Sequence, residues 1–351
     1  MTSSHDEVDV GVGEAVASTN IEVGVARIGR VAMLTNPAAG RGAASRAAGR
    51  AKRRLRERGV EVVAIQGDSA AGSQRLAAEA IADASIDALV VVGGDGLIGL
   101  ALQEQAQSGK PLGIIPAGTG NDHAREYNIP TDPVLAADVV ADGFWTVTDL
   151  GRMTSRPGDA GRRESGDVEV TCEPGDSDRR GQRWFGTISC SGFDSLVSDR
   201  TNNIAWPKGR SRYNLAIVLE FLNFHSIATR LTLEPGTADE RQLELQATLC
   251  AVGNTRSYGG GMYICPRADH HDGLLDVTVM GKLSRTRAAM KFRKVFSGDI
   301  AGEEGIQMYR ARRVRIEMAG INGYADGERF APLPMDVEAV PGAGKYLVPR
   351  P

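Results

Sequence analysis

The sequence predicts two domains, a doubly wound α/β unit followed by an all-β unit of antiparallel strands. Over residues 28–145 apolar strands alternate with helical stretches, the pattern of βαβ units. One of those strands, DALVVV at 87–92, is apolar almost throughout, as a parallel sheet covered on both faces requires. Over residues 146–330 the strands are separated mostly by turns instead of helices. With 351 residues the chain has room for two domains of ordinary size.

The elements follow in order. Residues 1–27 are polar and rich in acids, serine and glycine, and are expected to form a disordered tail. IGRVAMLTN at 28–36 reads as a strand and PAAGRG as its loop. An Ala/Arg-rich helix follows and stops at Gly59, where a left-handed C-terminal residue is expected. VEVVAI is the next strand and SQRLAAEAIAD the next helix. After DALVVV come the helix LIGLALQEQAQ and the short strand PLGIIP. In the second domain WTVTDLGRM, RWFGTISCSGF, LTLEP, ELQATLCAVGN, LLDVTVMG and RVRIEMA read as strands. YNLAIVLEFLNF interrupts them as a helix. A charged stretch near 152–182 reads as a long hairpin excursion, and residues 331–351 as a C-terminal segment packing back on the first domain.

Composition bounds the partners. Hydrophobic residues make up 42% and charged residues 24%, values of a globular chain with a substantial core. A net charge of −3 gives no overall attraction to nucleic acid. Cys172, Cys190, Cys250 and Cys265 lack CxxC or zinc spacing and read as reduced thiols of a cytoplasmic protein. No basic-then-apolar leader opens the chain, and no run of about 18 apolar residues occurs, so no span of a bilayer is expected.

Chemistry concentrates in glycine loops. Gly93-Gly94-Asp95-Gly96 stands between an apolar strand and a helix, where glycine admits a phosphate close to free backbone N–H groups. A carboxylate there repels phosphate unless a divalent cation lies between them, or unless it orients a ligand hydroxyl. A second loop, Pro116 to Asp122, follows the next strand, and Asn36 to Gly40 follows the first. In a parallel sheet all three leave the carboxyl edge and face one crevice, which predicts a nucleotide-phosphate site. Neither GxxxxGK[ST] nor GxGxxG is present. In the second domain, ADHHDGLLD offers acids and histidines, but adjacent histidines converge poorly on one ion. Exposed turn histidines are the expectation, and oxygen ligands suit magnesium better than zinc. Asp326-Gly327-Glu328 has the chemistry of a hairpin turn before a Pro-rich tail.

In this order NPAAG, VVVGGDG, IIPAGTGND, GNTRSYGGGMYICPRADHHDGLLDV and ADGERF resemble the diacylglycerol kinase catalytic family, across Ile28 to Phe330. That family includes bacterial soluble lipid kinases and is similar to sphingosine and ceramide kinases. The resemblance implies an NAD-kinase-like α/β domain, a β-sandwich domain and ATP in the cleft between them. It implies ATP contacts at Asn36, Pro37, Ala38, Ala39 and Gly40, at Gly93, Gly94, Asp95, Gly96, Leu97, Ile98 and Gly99, and at Thr119. Asp95 and Asp122 would organise magnesium-ATP, and Glu328 would be the general base. A structural magnesium would be held by the Asp272 side chain with backbone oxygens of Asp269 and Leu274. The chain departs from the family where Leu97, Gly99 and Leu100 replace a threonine and an Asn-Glu pair.

The activity so implied is ATP-dependent phosphorylation of a lipid hydroxyl at a membrane surface, most simply diacylglycerol to phosphatidic acid. A sphingoid base, a glycolipid or NAD as acceptor, and a catalytically silent binding protein, are the alternatives; a homodimer is compatible with the chain. Trp206, Lys208, Arg210, Arg212 and Tyr213, and the Lys291–Phe296 stretch, offer basic and aromatic groups for an anionic lipid surface or for solvent.

Overall fold

The computed structural model describes residues 21–36, 42–155, 181–192, 226–281 and 294–351. Outside them lie Pro37, Ala38, Ala39 and Gly40, residues 1–20, Cys172, most of the charged 152–182 stretch and the expected helix at 213–224. The group from Trp206 to Tyr213 and residues 291–293 lie outside them too.

The first domain is a parallel sheet with the spatial order β3 (Glu61–Gln66), β2 (Arg30–Thr35), β4 (Ala88–Gly93), β5 (Leu112–Pro116). The chain leaves β2 toward β3 and returns to β2's other side as β4, so the order reverses there. Helices α1 (Ala43–Glu57) and α5 (Pro133–Asp142) pack together, as do α2 (Ala70–Ala82) and α3 (Asp95–Gln105). β4 is buried along its whole length, which accounts for its unbroken apolar sequence. Ala44, Ala47, Ala51 and Leu55 form the buried stripe of α1, leaving its arginines outside. Leu34, Leu89, Val91, Ile98, Leu102 and Ile114 belong to one core. Helix α2 begins at Ala70, ahead of the expected Ser73, because Ser69 Oγ accepts the N–H of Gly72 at 3.0 Å and caps it.

The second domain is antiparallel. β10 (Arg241–Gly253) pairs with β8 (Ile188–Gly192), β9 (Ile227–Leu233) and β11 (Leu275–Gly281), and β11 also pairs with β12 (Ile306–Ala311). β13 (Arg313–Met318) lies between β9 and β16 (Met335–Leu347). Leu231, Val252, Val277, Ile316 and Val337 share its core. Helix α4 (Asp122–Glu126) precedes α5 in the first domain, and β14 (Asn322–Ala325) and β15 (Glu328–Pro332) form a hairpin of the second.

Three expectations change. The polar tail is not irregular throughout, because β1 (Val23–Val25) pairs antiparallel with β6 (Phe144–Thr154). RWFGTISCSGF is two strands, β7 (Gln182–Phe185) and β8, since the N–H groups of Gly186 and Thr187 turn aside to the Asp326 carboxylate. The Pro-rich tail is a strand: β16 pairs antiparallel with β6 and then, at Tyr346, parallel with β5 at Leu112. The shift between Val340 and Gly344 absorbs Pro341, which has no N–H for a ladder. The last strand therefore joins the two sheets into one.

Candidate active site

Two glycine loops meet at the carboxyl edge of the parallel sheet. The N–H of Ala117 donates to the carbonyl of Gly93 at 2.8 Å. A Cβ on Gly118 would lie 2.4 Å from Gly94 Cα, so neither loop tolerates a side chain at this crossing. Asn121 fixes the second loop, with Oδ1 accepting from Gly118 N at 3.0 Å and Nδ2 donating to Gly118 O at 3.2 Å. It sits in the left-handed region at φ 54°, a conformation asparagine tolerates better than most residues. Thr119 is exposed at the loop tip, and Asn36 is half-buried just past the end of β2.

Asp95 and Asp122 come together here. Asp95 Oδ1 accepts the backbone N–H of Asp122 at 2.8 Å and of His123 at 3.2 Å. A Cβ on Gly120 would stand 2.8 Å from Asp95 Oδ2 and 3.2 Å from Asp122 Oδ2, so the two second oxygens converge on one point. Their electrostatics diverge. Burial works against charge on Asp95, but the hydrogen bond and charge of His123 outweigh it and hold the carboxyl below its usual range. Burial and the neighbouring Asp95 charge push Asp122 up, although Gly260 N–H and Arg125 counteract them. Two carboxylates held this close suit a divalent cation between them, which would relieve the repulsion.

The triple glycine of YGGGM serves Asp122. Gly259, Gly260 and Gly261 have φ of 59°, 87° and 105°, a run that side chains would oppose. It aims Gly260 N–H at Asp122 Oδ1, 3.0 Å away. Arg125 also pairs with Asp122 and donates to Gly120 O. The second domain thus grips an acid of the first.

Glu328 enters from the other side. Asp326 and Gly327 have φ of 49° and 82°, the two left-handed positions of a type I′ turn, and Glu328 opens β15 opposite Ala325. Its Oε1 would be 3.0 Å from a Cβ on Gly96, which places the exposed carboxylate against the first glycine loop. Asp326 anchors the turn, accepting from Gly186 N at 2.9 Å, Thr187 N at 2.8 Å and Thr187 Oγ1 at 2.6 Å. From sequence alone Asp326 has no role beyond its turn, and His123 is not named. The signal for Asp326 is a turn aspartate that must find donors beyond its own hairpin.

Leu97 and Ile98 are 8% and 1% exposed in the core, so they face the crevice with backbone only. Leu97 packs on Gly93, while a Cβ on Gly99 would meet nothing within 4 Å. Replacing the family's polar residues here thus leaves the backbone cradle intact.

The 269–276 loop is wired differently. Asp272 Oδ1 accepts from Leu274 N at 2.9 Å, and its Oδ2 pairs with Arg310. Asp269 is exposed and accepts from His271 N at 3.0 Å. His270 and His271 are not the exposed turn residues expected. Their side chains are 14% and 16% exposed, their rings lie 4.2 Å apart, and His270 packs edge-on against Tyr127. Burial, with the charge of His271, pushes His270 down to about 4. Asp269, His270 and His271 offer ligand atoms within 4.8 Å of one another.

The glycine loops of the doubly wound domain face a hairpin of the β-sandwich domain, with acids on both sides, an arrangement suited to phosphoryl transfer. The "Diacylglycerol kinase catalytic domain" model matches residues 30–153, and the "YegS C-terminal NAD kinase beta sandwich-like domain" model matches 186–348. The chain is 45% identical over 324 residues to a "Diacylglycerol kinase" of Mycobacterium tuberculosis, covering 92% of this chain and 96% of the relative. It is 29% identical over 287 residues to a Stenotrophomonas maltophilia protein named "Probable lipid kinase YegS-like", covering 79% and 83%. The crystal structure of a diacylglycerol kinase from Bacillus anthracis shares the fold with a TM-score of 0.64 at 17% identity, covering 92% of this chain and 98% of that one. The chain belongs to the diacylglycerol kinase catalytic family and is a lipid kinase.

Proposed function

We propose that the protein transfers the γ-phosphate of ATP to a lipid hydroxyl, most simply that of diacylglycerol, giving phosphatidic acid. The observation that carries this reading is the approach of Glu328 Oε1 to Gly96, beside the point where Asp95 and Asp122 converge. The glycine backbones take the phosphates, and we assign further ATP contacts to Asn36 to Gly40 and Thr119. Asp95 and Asp122 are the residues that would hold magnesium, which, when bound, neutralises phosphate charge. Glu328 accepts the proton of the acceptor hydroxyl, whose oxygen attacks the γ-phosphorus as ADP leaves. Phosphoryl transfer requires positioning, charge neutralisation and one such base.

No helix among the described residues is long and apolar enough to cross a membrane. Because the proposed acceptor is a lipid, we place the enzyme at the membrane surface as a peripheral visitor. Lys294 adds no free charge to that contact, because Glu303 pairs with it.

In the loop at 269–276 we assign magnesium to Asp272, with backbone oxygens of Asp269 and Leu274, in competition with Arg310. The test of the acceptor is transfer of labelled γ-phosphate into mixed micelles holding diacylglycerol, a sphingoid base or a glycolipid, with NAD offered separately. Label in diacylglycerol alone supports the assignment. Label in another acceptor, or ATP binding with no transfer, would replace it.

A further inference from the structure

His123 stands between the crevice acids and the hairpin, and the phosphoryl-transfer scheme leaves it unused. Its side chain is 0% exposed. Nδ1 lies 3.3 Å from Asp95 Oδ1, and Nε2 lies 3.7 Å from Asp326 Oδ2. One carboxylate opens α3 at the first glycine loop, and the other is the turn residue of the hairpin that carries Glu328. The imidazole therefore lies between one domain's acid, which its Nδ1 contacts, and the other's, which its Nε2 approaches without a hydrogen bond.

The slot is shaped for a ring. A Cβ on Gly186 would lie 2.5 Å from His123 Nε2, so glycine is required where the ring passes, and the same residue's N–H holds Asp326. The ring is fully buried, with Nδ1 against the Asp95 carboxylate and Nε2 making no hydrogen bond, its nearest carboxylate oxygen being Asp326 Oδ2 at 3.7 Å.

We propose that His123 is a positioning residue that couples Asp95 to the Asp326-Gly327-Glu328 hairpin, keeping the nucleotide side and the acceptor side of the site in register. This rests on the reading of Asp95 as organiser of magnesium-ATP and of Glu328 as base. Through Asp95 the ring steadies the start of α4 and the convergence point at Gly120. Through Asp326 it steadies the turn from which Glu328 emerges.

The two nitrogens are separable. Asparagine sets an amide N–H near the Nδ1 position and glutamine sets one near Nε2. His123→Asn should keep the Asp95 contact, holding KM for magnesium-ATP within about twofold while kcat falls by about 10²-fold, since small misplacements of reacting groups cost that much. His123→Gln should do the reverse, raising KM about tenfold with the smaller loss in kcat. Equal factors in both variants, or wild-type constants in both, overturn the coupling. In a Glu328→Gln background His123→Asn should add little further loss of kcat; a full multiplicative loss also overturns it.

If either variant fails to fold by thermal melting, Gly186→Ala presses a methyl on Nε2 and should lower kcat with little change in KM. An unchanged kcat there counts against the proposal. Should Glu328→Gln alone keep the wild-type rate, it is the base assignment that fails. The Asn and Gln split between KM and kcat still reports on His123.

Discussion

Asp95 and Asp122 in the crevice, and Asp269 and Asp272 in the loop of the second domain, are acids in glycine-containing turns, yet they are wired differently. The crevice acids accept N–H groups of Asp122, His123 and Gly260, Asp122 also pairs with Arg125, and one oxygen of each acid converges at Gly120. Asp272 meets Leu274 N with one oxygen and Arg310 with the other. Asp149 closes the same region by accepting from Gly273 N at 2.6 Å and Gly342 N at 3.0 Å. Each place has a carboxylate paired with a guanidinium, Asp122 with Arg125 and Asp272 with Arg310; what sets the crevice apart is the convergence of two carboxylate oxygens at Gly120, where we propose that a cation is received.

The largest expected effect tests the first half of that contrast. Asp95→Asn should abolish turnover and weaken magnesium-ATP binding, and it should also cost up to about 1–3 kcal/mol of stability, because Asp95 Oδ1 holds the N–H groups of Asp122 and His123 and faces the buried His123 ring. Near-normal activity at saturating magnesium-ATP would remove Asp95 from the nucleotide site.

Glu328→Gln comes next. It should lower the rate of lipid phosphorylation by about 10²–10⁴-fold, the usual contribution of a general base. Nucleotide affinity should change little, since in the proposed scheme the carboxylate acts on the acceptor hydroxyl and the amide keeps its volume. One titration and one rate measurement thus separate the two acids; an unchanged rate would assign the base to another group.

How legible was all this in the chain itself? The parallel domain was readable because its signals are local: an apolar β4, a helix stripe on α1, glycine loops at each strand end. The approach of Gly94 to Gly118 could be inferred as shared facing, because parallel strands send their loops to one edge. β16 was not readable. Its partners β6 and β5 are far away in sequence, and Pro341 and Gly344 look like a tail until the irregular pairing is seen. β1 was hidden because Val23–Val25 is a three-residue run next to a polar tail, and its pairing comes from Phe144–Thr146 far along the chain. Asp326 and His123 were hidden for a related reason. Their roles lie in donors and acceptors brought in by β7, β8 and α3, which no local spacing encodes.

On the other side of the comparison, Asp272→Ala should act through structure. Removing it leaves Arg310 with Asp276 at 3.3 Å as its remaining carboxylate partner. A loss of about 1–3 kcal/mol is expected when a partner of a part-buried ion pair is removed. Thermal stability should fall, and added magnesium should restore less of it than in the wild type. Equal magnesium-dependent stabilisation of both proteins would take the cation away from this loop.

The smallest effect belongs to Asp269, and it divides side chain from backbone within one loop. Its carboxylate is exposed, accepts the N–H of His271 and lies 3.5 Å from His271 Nδ1, so truncation touches surface contacts to one residue. Asp269→Ala should therefore shift stability by no more than about 0.5–1 kcal/mol. The carbonyl oxygen assigned to magnesium survives the substitution, and so should the response of the melting midpoint to magnesium. If Asp269→Ala silences that response as fully as Asp272→Ala, the ion is held by the Asp269 side chain. The neighbouring imidazoles of His270 and His271, whose ligand atoms lie within 4.8 Å of that carboxylate and of each other, would then be the ligands to examine. If it leaves the response whole, the shape-holding role rests on Asp272 and Arg310, and the two acid pairs of the molecule differ in function as they do in wiring.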